Sequence, residues 1–537
     1  MALDVGKLLA GSVQYPKLPE VSPSYGTAGF RSTAVLLPCT VFRCGVLMAL
    51  RAMHTGAATG IVITASHNPE QDNGVKLVEP SGHMLSPSWE AFADRLANAP
   101  DDDALAELCH ELISQHSISI GNATVMVAHD SRPSAVALVA AAGDGISCVG
   151  ATAYACGLLT TPQLHWMVMK CNRKLPHSKE DYFHTLAEAY EQLTAGAATP
   201  DEVIIVDCAN GVGANALQQL QEKLGAKLRL KLFNTEVGVA GKLNADCGAD
   251  FVQKERTGPA SMTLAECSGR CASIDGDADR LVFFSQEGDT LALLDGDKIA
   301  ALLALLVQQL LKAAGLEDVS LGVVQTAYAN GASTQFLQQL PHCTVQCTPT
   351  GVKHLHAAAE KFDIGIYFEA NGHGTVLIGK PFLEKLQKTS QAGGEKLQEA
   401  ARQLEALATL SNQAVGDALS GLLMVEAALQ LLQKDLQSWG ALYRDLPSRQ
   451  RKVSVRDRSV VKTADAERKA VSPAGLQEGL DKAAASVKSG RVFVRPSGTE
   501  DVVRVYAEAA TQEDADGLAL EAARLLHHLA GGTGAEV

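Results

Sequence analysis

Short apolar runs recur along the chain, and most end in small, polar or turn-forming residues. Gly60-Ile61-Val62-Ile63 stops at Thr64-Ala65-Ser66-His67-Asn68-Pro69. Val125-Met126-Val127-Ala128 stops at His129-Asp130-Ser131-Arg132-Pro133, and Val203-Ile204-Ile205-Val206-Asp207 precedes a glycine-bearing turn. Runs of this length bounded by turn residues read as buried strands that deliver loops to a sheet edge. Ala214, Leu217 and Leu220 then recur at helical spacing. The strand–helix alternation continues to about residue 380 and predicts mixed α/β layers. Lys385 to Asn412 is rich in Lys, Gln, Glu and Ala and reads as a solvated helix or a mobile insertion.

Four of the loops carry chemistry. In the first, Ser66 is flanked by Ala65 and His67, and Asn68-Pro69 fixes the turn. A hydroxyl presented with so little steric cover suits a phosphate carrier; a serine bonded to its own turn is the alternative. In the second, Ser273-Ile274-Asp275-Gly276-Asp277-Ala278-Asp279-Arg280 precedes the apolar Leu281-Val282-Phe283-Phe284. Three carboxylates at alternate positions repel one another, and hard oxygen donors select Mg²⁺, Ca²⁺ or Mn²⁺. An EF-hand starting at Asp275 would need glycine sixth and glutamate twelfth, where the chain has Arg280 and Gln286. A solvated acidic turn accounts for most such strings, and the string alone leaves a phosphatase nucleophile open beside the metal site.

The third loop, Arg495-Pro496-Ser497-Gly498-Thr499-Glu500, joins Val492-Phe493-Val494 to Val502-Val503-Arg504-Val505-Tyr506. Two guanidiniums, two hydroxyls and a glycine suit a phosphate dianion, or a surface turn with an ion pair. In the fourth, the strand Ile364-Gly365-Ile366-Tyr367-Phe368 opens into Glu369-Ala370-Asn371-Gly372-His373-Gly374. Glu369, Asn371 and His373 alternate, so an extended backbone would point all three to one side as a grip for sugar hydroxyls. Gly374 to Lys380 fits the first seven positions of a Walker A string, but Pro381 stands where Ser or Thr is needed and the segment reads as a strand, which argues against an ATP kinase.

Bulk properties narrow the classes. A chain of 537 residues exceeds one core, and 46% hydrophobic residues are enough to fill several. A net charge of −14 without a long basic run argues against general nucleic-acid binding. A phosphate-bearing ligand would require so acidic a protein to concentrate cations locally, as at Arg495 and Arg504. Ile299 to Val307, the richest apolar stretch, is too short to span a bilayer, so no membrane association is expected. The N-terminus carries no evident signal peptide. None of the 12 cysteines lies in a CxxC pair, and reduced thiols in a cytoplasmic protein are expected.

The chain resembles the α-D-phosphohexomutases, and within them the phosphoacetylglucosamine mutase branch. The resemblance rests on Tyr25-Gly26-Thr27-Ala28-Gly29-Phe30-Arg31, the loop from Thr64 through Asn73-Gly74-Val75-Lys76, Asp275 to Arg280, Glu369 to His373, and Arg495 to Thr499. Val206 to Gly213 and Gly416-Asp417-Ala418-Leu419-Ser420-Gly421 also match that branch. Asn371 is the informative position, because glucose- and mannose-type members usually carry serine in the corresponding string. The resemblance implies an α/β fold with three mixed α/β domains and a C-terminal α+β domain around a central cleft. We place the domains at 1–178, 179–296, 297–431 and 432–537.

The activity it implies is interconversion of N-acetylglucosamine 6-phosphate and 1-phosphate through phosphorylated Ser66 and a sugar 1,6-bisphosphate, feeding UDP-N-acetylglucosamine synthesis. Ser66, Asp275, Asp277 and Asp279 would hold Mg²⁺, while Lys76, Arg31 and Arg280 would add positive charge. For Arg280 an ion pair to the aspartates is the competing reading. Glu369, Ala370 and Asn371 would contact the sugar, and Arg495, Pro496, Ser497, Gly498, Thr499 and Arg504 its phosphate. His373 would be the general acid or base, or a loop residue shaping the sugar grip; His67 would support the serine loop. The rival readings are a mutase preferring glucose or mannose phosphates and a phosphosugar-binding protein without turnover. Oligomeric state is not legible in the sequence.

Overall fold

The structure is a computed structural model that describes residues 3–26, 28–198, 202–288, 290–391, 394–497 and 500–534. Thr27, Gly498 and Thr499, three of the positions singled out above, lie outside the described residues. The chain divides into two compact units. One comprises residues 1–295, 371–376 and 402–433; the other comprises 296–370, 377–401 and 434–537.

The first unit contains two five-stranded sheets. In one, the strand order is Phe30–Thr33, Asp72–Val78, Thr59–Ile63, Thr124–His129, Thr152–Leu158. In the other it is Thr290–Leu294, Leu281–Glu287, Cys271–Ile274, Ile204–Asp207, Leu230–Phe233. Read in those orders, each sheet pairs antiparallel twice and then parallel twice. Val62 and Val206 are fully buried, as continuous apolar runs in a sheet covered on both faces require. One apolar cluster of this unit joins the first sheet to the helix Pro38–Thr55, whose Phe42, Val46 and Leu50 are inaccessible to solvent.

In the second unit, Cys343–Thr348, Leu321–Thr326 and Ile364–Phe368 pair in parallel, the α/β pattern the alternation predicts. Its last sheet is antiparallel, ordered Ser448–Ser454, Val502–Glu508, Arg491–Pro496. Val494, Val503 and Val505 pack there with Leu480, Leu518 and Leu526 from the helices Leu476–Ala485 and Gln512–Leu529. Ile299 to Val307 falls inside the helix Gly296–Ala313.

The segment 385–412 is neither a uniformly solvated helix nor an irregular insertion. It lies in two amphipathic helices, Lys380–Gln391 and Glu395–Leu410, and Leu386, Leu404, Leu407 and Leu410 are buried. The polar composition conceals an apolar stripe at helical spacing. None of the 12 cysteines is paired. Among the described residues no helix is long and apolar enough to cross a membrane.

Candidate active site

The strand Thr59–Ile63 delivers the serine loop, and the parallel strand Thr124–His129 beside it delivers Asp130 and Arg132. Ser66 sits in the left-handed region at φ 55°, a conformation rare for a side chain with a Cβ and costly enough to need support from its surroundings. Its support is a set of backbone clamps. Arg132 Nη2 donates to the carbonyls of Ser66 and Asn68 at 3.0 and 2.9 Å, and Nη1 to those of Pro69 and Asp72 at 2.6 and 2.9 Å. Asn244 Nδ2 donates to the same Ser66 and Asn68 carbonyls at 2.8 and 3.0 Å. Asp130 holds Arg132 through its Nε at 3.0 Å.

The serine is not exposed, as its small neighbours suggested. It is fully buried, and its Oγ donates to Asp275 Oδ2 at 2.6 Å. The reason is tertiary: the aspartate loop closes over it, so that a Cβ on Gly276 would stand 2.7 Å from the Ser66 carbonyl oxygen. That loop turns through Ala278 at φ 58°. Asp275 Oδ1 accepts from the backbone of Asp279 and Arg280, which folds the loop onto its first carboxylate.

Asp275, Asp277 and Asp279 present carboxylate oxygens all within 4.8 Å of one another, and all three residues are buried. Lys76 Nζ lies 2.7 Å from both Asp277 Oδ2 and Asp279 Oδ2. Thr161 Oγ1 donates to Asp277 Oδ2 at 2.7 Å. Thr161 is placed by a capping box in which Thr160 and Gln163 satisfy each other's backbone N–H. Burial and the two neighbouring aspartates push the Asp275 carboxyl well above the usual carboxylate range. Burial opposes ionisation of Asp279, but Lys76, His373 and Arg280 hold it well below that range. The Lys76 ammonium, even with the Arg280 guanidinium that Asp250 shares, leaves negative charge on three carboxylates to balance, and Oδ1 of Asp277 is buried without a hydrogen-bond partner among the described residues. Oxygen donors converging with unsatisfied lone pairs fit a hard divalent cation.

Arg280 pairs first with an aspartate outside the metal-type loop. Its Nη1 pairs with Asp250, while its Nε lies 3.9 and 3.8 Å from Asp275 and Asp279. Burial, then Arg280, pushes the His67 imidazole down to about 3, so it stays neutral and cannot serve as a cationic acid. Its Nε2 lies 3.7 Å from Asp250 Oδ2, a place in the loop's support. Arg31 is solvent-exposed on the strand Phe30–Thr33, opposite Gly74 and within electrostatic reach of the three aspartates and Arg280.

The loop after Phe368 departs from the extended backbone that the alternation of Glu369, Asn371 and His373 implied. Residues 370–372 form a turn through Gly372 at φ 85°, and Asn371 Oδ1 accepts from the His373 backbone N–H at 3.0 Å. An Asx turn of this kind competes with strand geometry. Gly372 O then accepts from Leu281 N at 3.2 Å, which sets His373 beside the aspartate loop. His373 Nδ1 lies 3.3 Å from Asp279 Oδ1, and its buried Nε2 has no hydrogen-bond partner among the described residues. The structure thus gathers Ser66, Lys76, the three aspartates and His373 in the first unit. Glu369 and Ala370, at the end of Ile364–Phe368, belong to the second.

In the second unit, Arg495 and Arg504 are direct cross-strand partners. Two cations in that position repel each other and favour an anion between them. Arg495 Nε donates to Glu467 Oε1 at 3.0 Å, and Glu467 Oε2 accepts from Thr350 N at 2.9 Å and its Oγ1 at 2.5 Å. Ser497 is buried and its N–H donates to Val502 O at 2.9 Å, closing the loop from Pro496. Sequence reasoning missed Arg132, Asn244, Asp250 and Glu467. For Arg132 a signal existed, a charged string after a strand like the serine strand; Asn244 and Glu467 lie in turns with no periodic pattern, and Asp250 lies in the first turn of the short helix Ala249–Glu255.

Three family profiles match. One described as "Phosphoacetylglucosamine mutase AMG1, domain III" covers residues 295–434. The "Phosphoglucomutase/phosphomannomutase" C-terminal domain covers 452–525, and alpha/beta/alpha domain I covers 46–103 and 95–175. The human phosphoacetylglucosamine mutase is 46% identical over 99% of this chain and 99% of its own. The chain belongs to the phosphoacetylglucosamine mutases. Its fold is that of the phosphohexomutase superfamily. A crystal structure of the Aspergillus fumigatus N-acetylphosphoglucosamine mutase, in complex with GlcNAc-6P and magnesium, matches at TM-score 0.94 and 41% identity, covering 99% of this chain and 100% of that one. A single-site variant of that mutase, in complex with glucose 1,6-bisphosphate, matches at TM-score 0.92 and 41% identity over 98% and 99% of the two chains.

Proposed function

We propose that the chain interconverts N-acetylglucosamine 6-phosphate and N-acetylglucosamine 1-phosphate through phosphorylated Ser66 and a sugar 1,6-bisphosphate. The observation that carries this reading is the 2.6 Å contact of Ser66 Oγ with a buried cluster of three aspartates, in a chain of this family. Asp275, Asp277 and Asp279 would hold Mg²⁺ together with an oxygen of phosphorylated Ser66, and the ion would supply Lewis-acid polarisation of the phosphoryl group.

The protein's own groups do the rest. In the forward direction the anomeric hydroxyl attacks the phosphorus on Ser66; the Ser66 Oγ–P bond breaks, and the hydroxyl's proton passes by way of a base to the departing Oγ. His373, whose buried Nε2 has no hydrogen-bond partner among the described residues, is assigned that role. After the 1,6-bisphosphate turns over, Ser66 Oγ gives up its proton as it attacks the 6-phosphate, the O6–P bond breaks, O6 takes the proton by way of the same base, and the phosphoserine is restored. The clamps from Arg132 and Asn244 hold Ser66 on one line of attack. Lys76 and Arg31 supply positive charge toward the transferring group, whose charge is spread over three oxygens. Arg495, Pro496, Ser497, Gly498, Thr499 and Arg504 are assigned the phosphate that is not reacting; Glu369, Ala370 and Asn371 are assigned the sugar. The product would feed UDP-N-acetylglucosamine synthesis, and the unpaired cysteines favour a cytoplasmic setting.

Kinetics on the 6-phosphates of N-acetylglucosamine, glucose and mannose with added Mg²⁺ test the reading. The highest kcat/KM is expected for N-acetylglucosamine 6-phosphate. A preference for either other sugar overturns the substrate, and isomerisation of none of them overturns the enzyme.

A further inference from the structure

The string Gly416-Asp417-Ala418-Leu419-Ser420-Gly421 has no place in the mechanism above, yet it touches both halves of the transfer site. Asp417 is 2% exposed and caps the helix Ala418–Leu431, with Oδ1 accepting from the backbone of Leu419 and Ser420 at 3.1 and 3.2 Å. Its other oxygen accepts from Tyr182 Oη at 2.8 Å and Asn412 Nδ2 at 2.9 Å. All four donors are met in the core, so the carboxylate is held from every side. The residues on either side of it make the contacts that matter. Ala418 N donates to the carbonyl of Ala278, between Asp277 and Asp279, at 3.0 Å. Gly416 lies against the imidazole: a Cβ there would stand 2.9 Å from His373 Cδ2 and Nε2. Asn412 extends the same connection, its carbonyl accepting from Thr375 Oγ1 at 2.9 Å and its Nδ2 donating to Pro162 O at 3.2 Å. Thr375 is two residues beyond His373, and Pro162 follows the Thr161 that binds Asp277.

We propose that Asp417 is a positioning residue for phosphoryl transfer: it locks the 412–418 turn so that Gly416 sets the His373 imidazole and Ala418 sets the aspartate loop in one fixed relation. The proposal rests on the roles given above to His373 and the aspartates. Gly416 is required to be glycine because a Cβ there would stand 2.8 Å from Gly374 N and 2.9 Å from the His373 imidazole, and Asp417 is required to accept on both oxygens, from two backbone N–H groups on one and from the Asn412 amide on the other. Asn at 417 would turn an amide N–H₂ toward Asn412 Nδ2, so the turn would shift without a change in size.

The test is steady-state kinetics and Ser66 phosphorylation by a sugar 1,6-bisphosphate in Asp417→Asn and Gly416→Ala, beside the wild type. A displacement of the reacting groups with substrate binding intact predicts a fall in kcat of about a hundredfold, with KM changed by less than about threefold. The Ser66 loading rate should fall in step, and melting temperatures should show both variants folded at the assay temperature. If Asp417→Asn does not fold, Tyr182→Phe, which removes one donor to Asp417 and no group of the transfer site, takes its place beside Gly416→Ala. Wild-type kcat and loading in the folded variants overturn the proposal, as does a loss of activity explained entirely by the unfolded fraction. A wild-type protein that isomerises no phosphosugar would overturn the proposed function instead, so the two failures are separable.

Discussion

At the scale of single residues, the site is a problem of buried charge. Ser66 donates to a carboxylate that burial and two like charges would otherwise leave destabilised. Ser66→Ala should therefore abolish turnover and also cost about 1–3 kcal/mol of stability, since Asp275 loses its donor. Activity assays and denaturant titration of the purified variant measure both, and near-normal turnover would remove Ser66 as carrier. Arg132 carries a larger load. It is 2% exposed, closes four backbone carbonyls and neutralises Asp130. Arg132→Ala leaves a buried carboxylate unpaired and should destabilise by about 3–5 kcal/mol, read as a lowered unfolding midpoint. A variant as stable as the wild type would show that the clamp is redundant. Arg495→Ala, in the other unit, should raise KM for the phosphosugar far more than it lowers kcat; an unchanged KM would take Arg495 out of the phosphate grip.

The residue types at these positions were legible in the sequence, but their exposure was not. Small neighbours and a proline predicted an open hydroxyl at Ser66; only a second loop, more than two hundred residues on, buries it. Likewise, alternation predicted one face for Glu369, Asn371 and His373, and a local Asx bond won over the strand period.

At the scale of elements, apolar runs located the strands well because strands buried on both faces must be apolar throughout. The strand before Ser66, the strand before Asp207 and the strand after Arg280 all lie where the pattern placed them. The polar 385–412 segment misled because helices with a narrow buried stripe average out as hydrophilic. Loops are harder still, since close approach leaves no period. The contact of Gly276 with Ser66 is the clearest case. Gly276→Ala must move a backbone carbonyl, and a fall in kcat of about a hundredfold is expected without loss of the sheet. Circular dichroism alongside the activity assay separates the two effects; a fully active Gly276→Ala would mean that the serine loop tolerates displacement.

At the scale of the whole molecule, the division at 178, 296 and 431 stands as a proposal about folding units, and limited proteolysis should cut near those points if it holds. Stability should also carry a signature of buried charge away from the site. Burial pushes the Glu426 carboxyl up to about 7, against the pull of its partner Arg270. The folded protein then holds a proton that the unfolded chain releases near pH 4.5. Stability from this group is complete below that pH and is lost as pH rises to about 7, a change of at most ~3 kcal/mol. Glu426→Gln should flatten the melting-temperature profile across that window, and an unaltered slope would assign the pH dependence elsewhere.

The central claim is that Ser66 carries the phosphoryl group. It is tested most directly by intact-mass and peptide mapping of the purified protein after exposure to a sugar 1,6-bisphosphate and magnesium. The expected result is one phosphate, on the peptide containing Ser66, that disappears on addition of N-acetylglucosamine 6-phosphate and never forms in Ser66→Ala. Turnover of the phosphosugar with no phosphate passing through residue 66 would contradict the account.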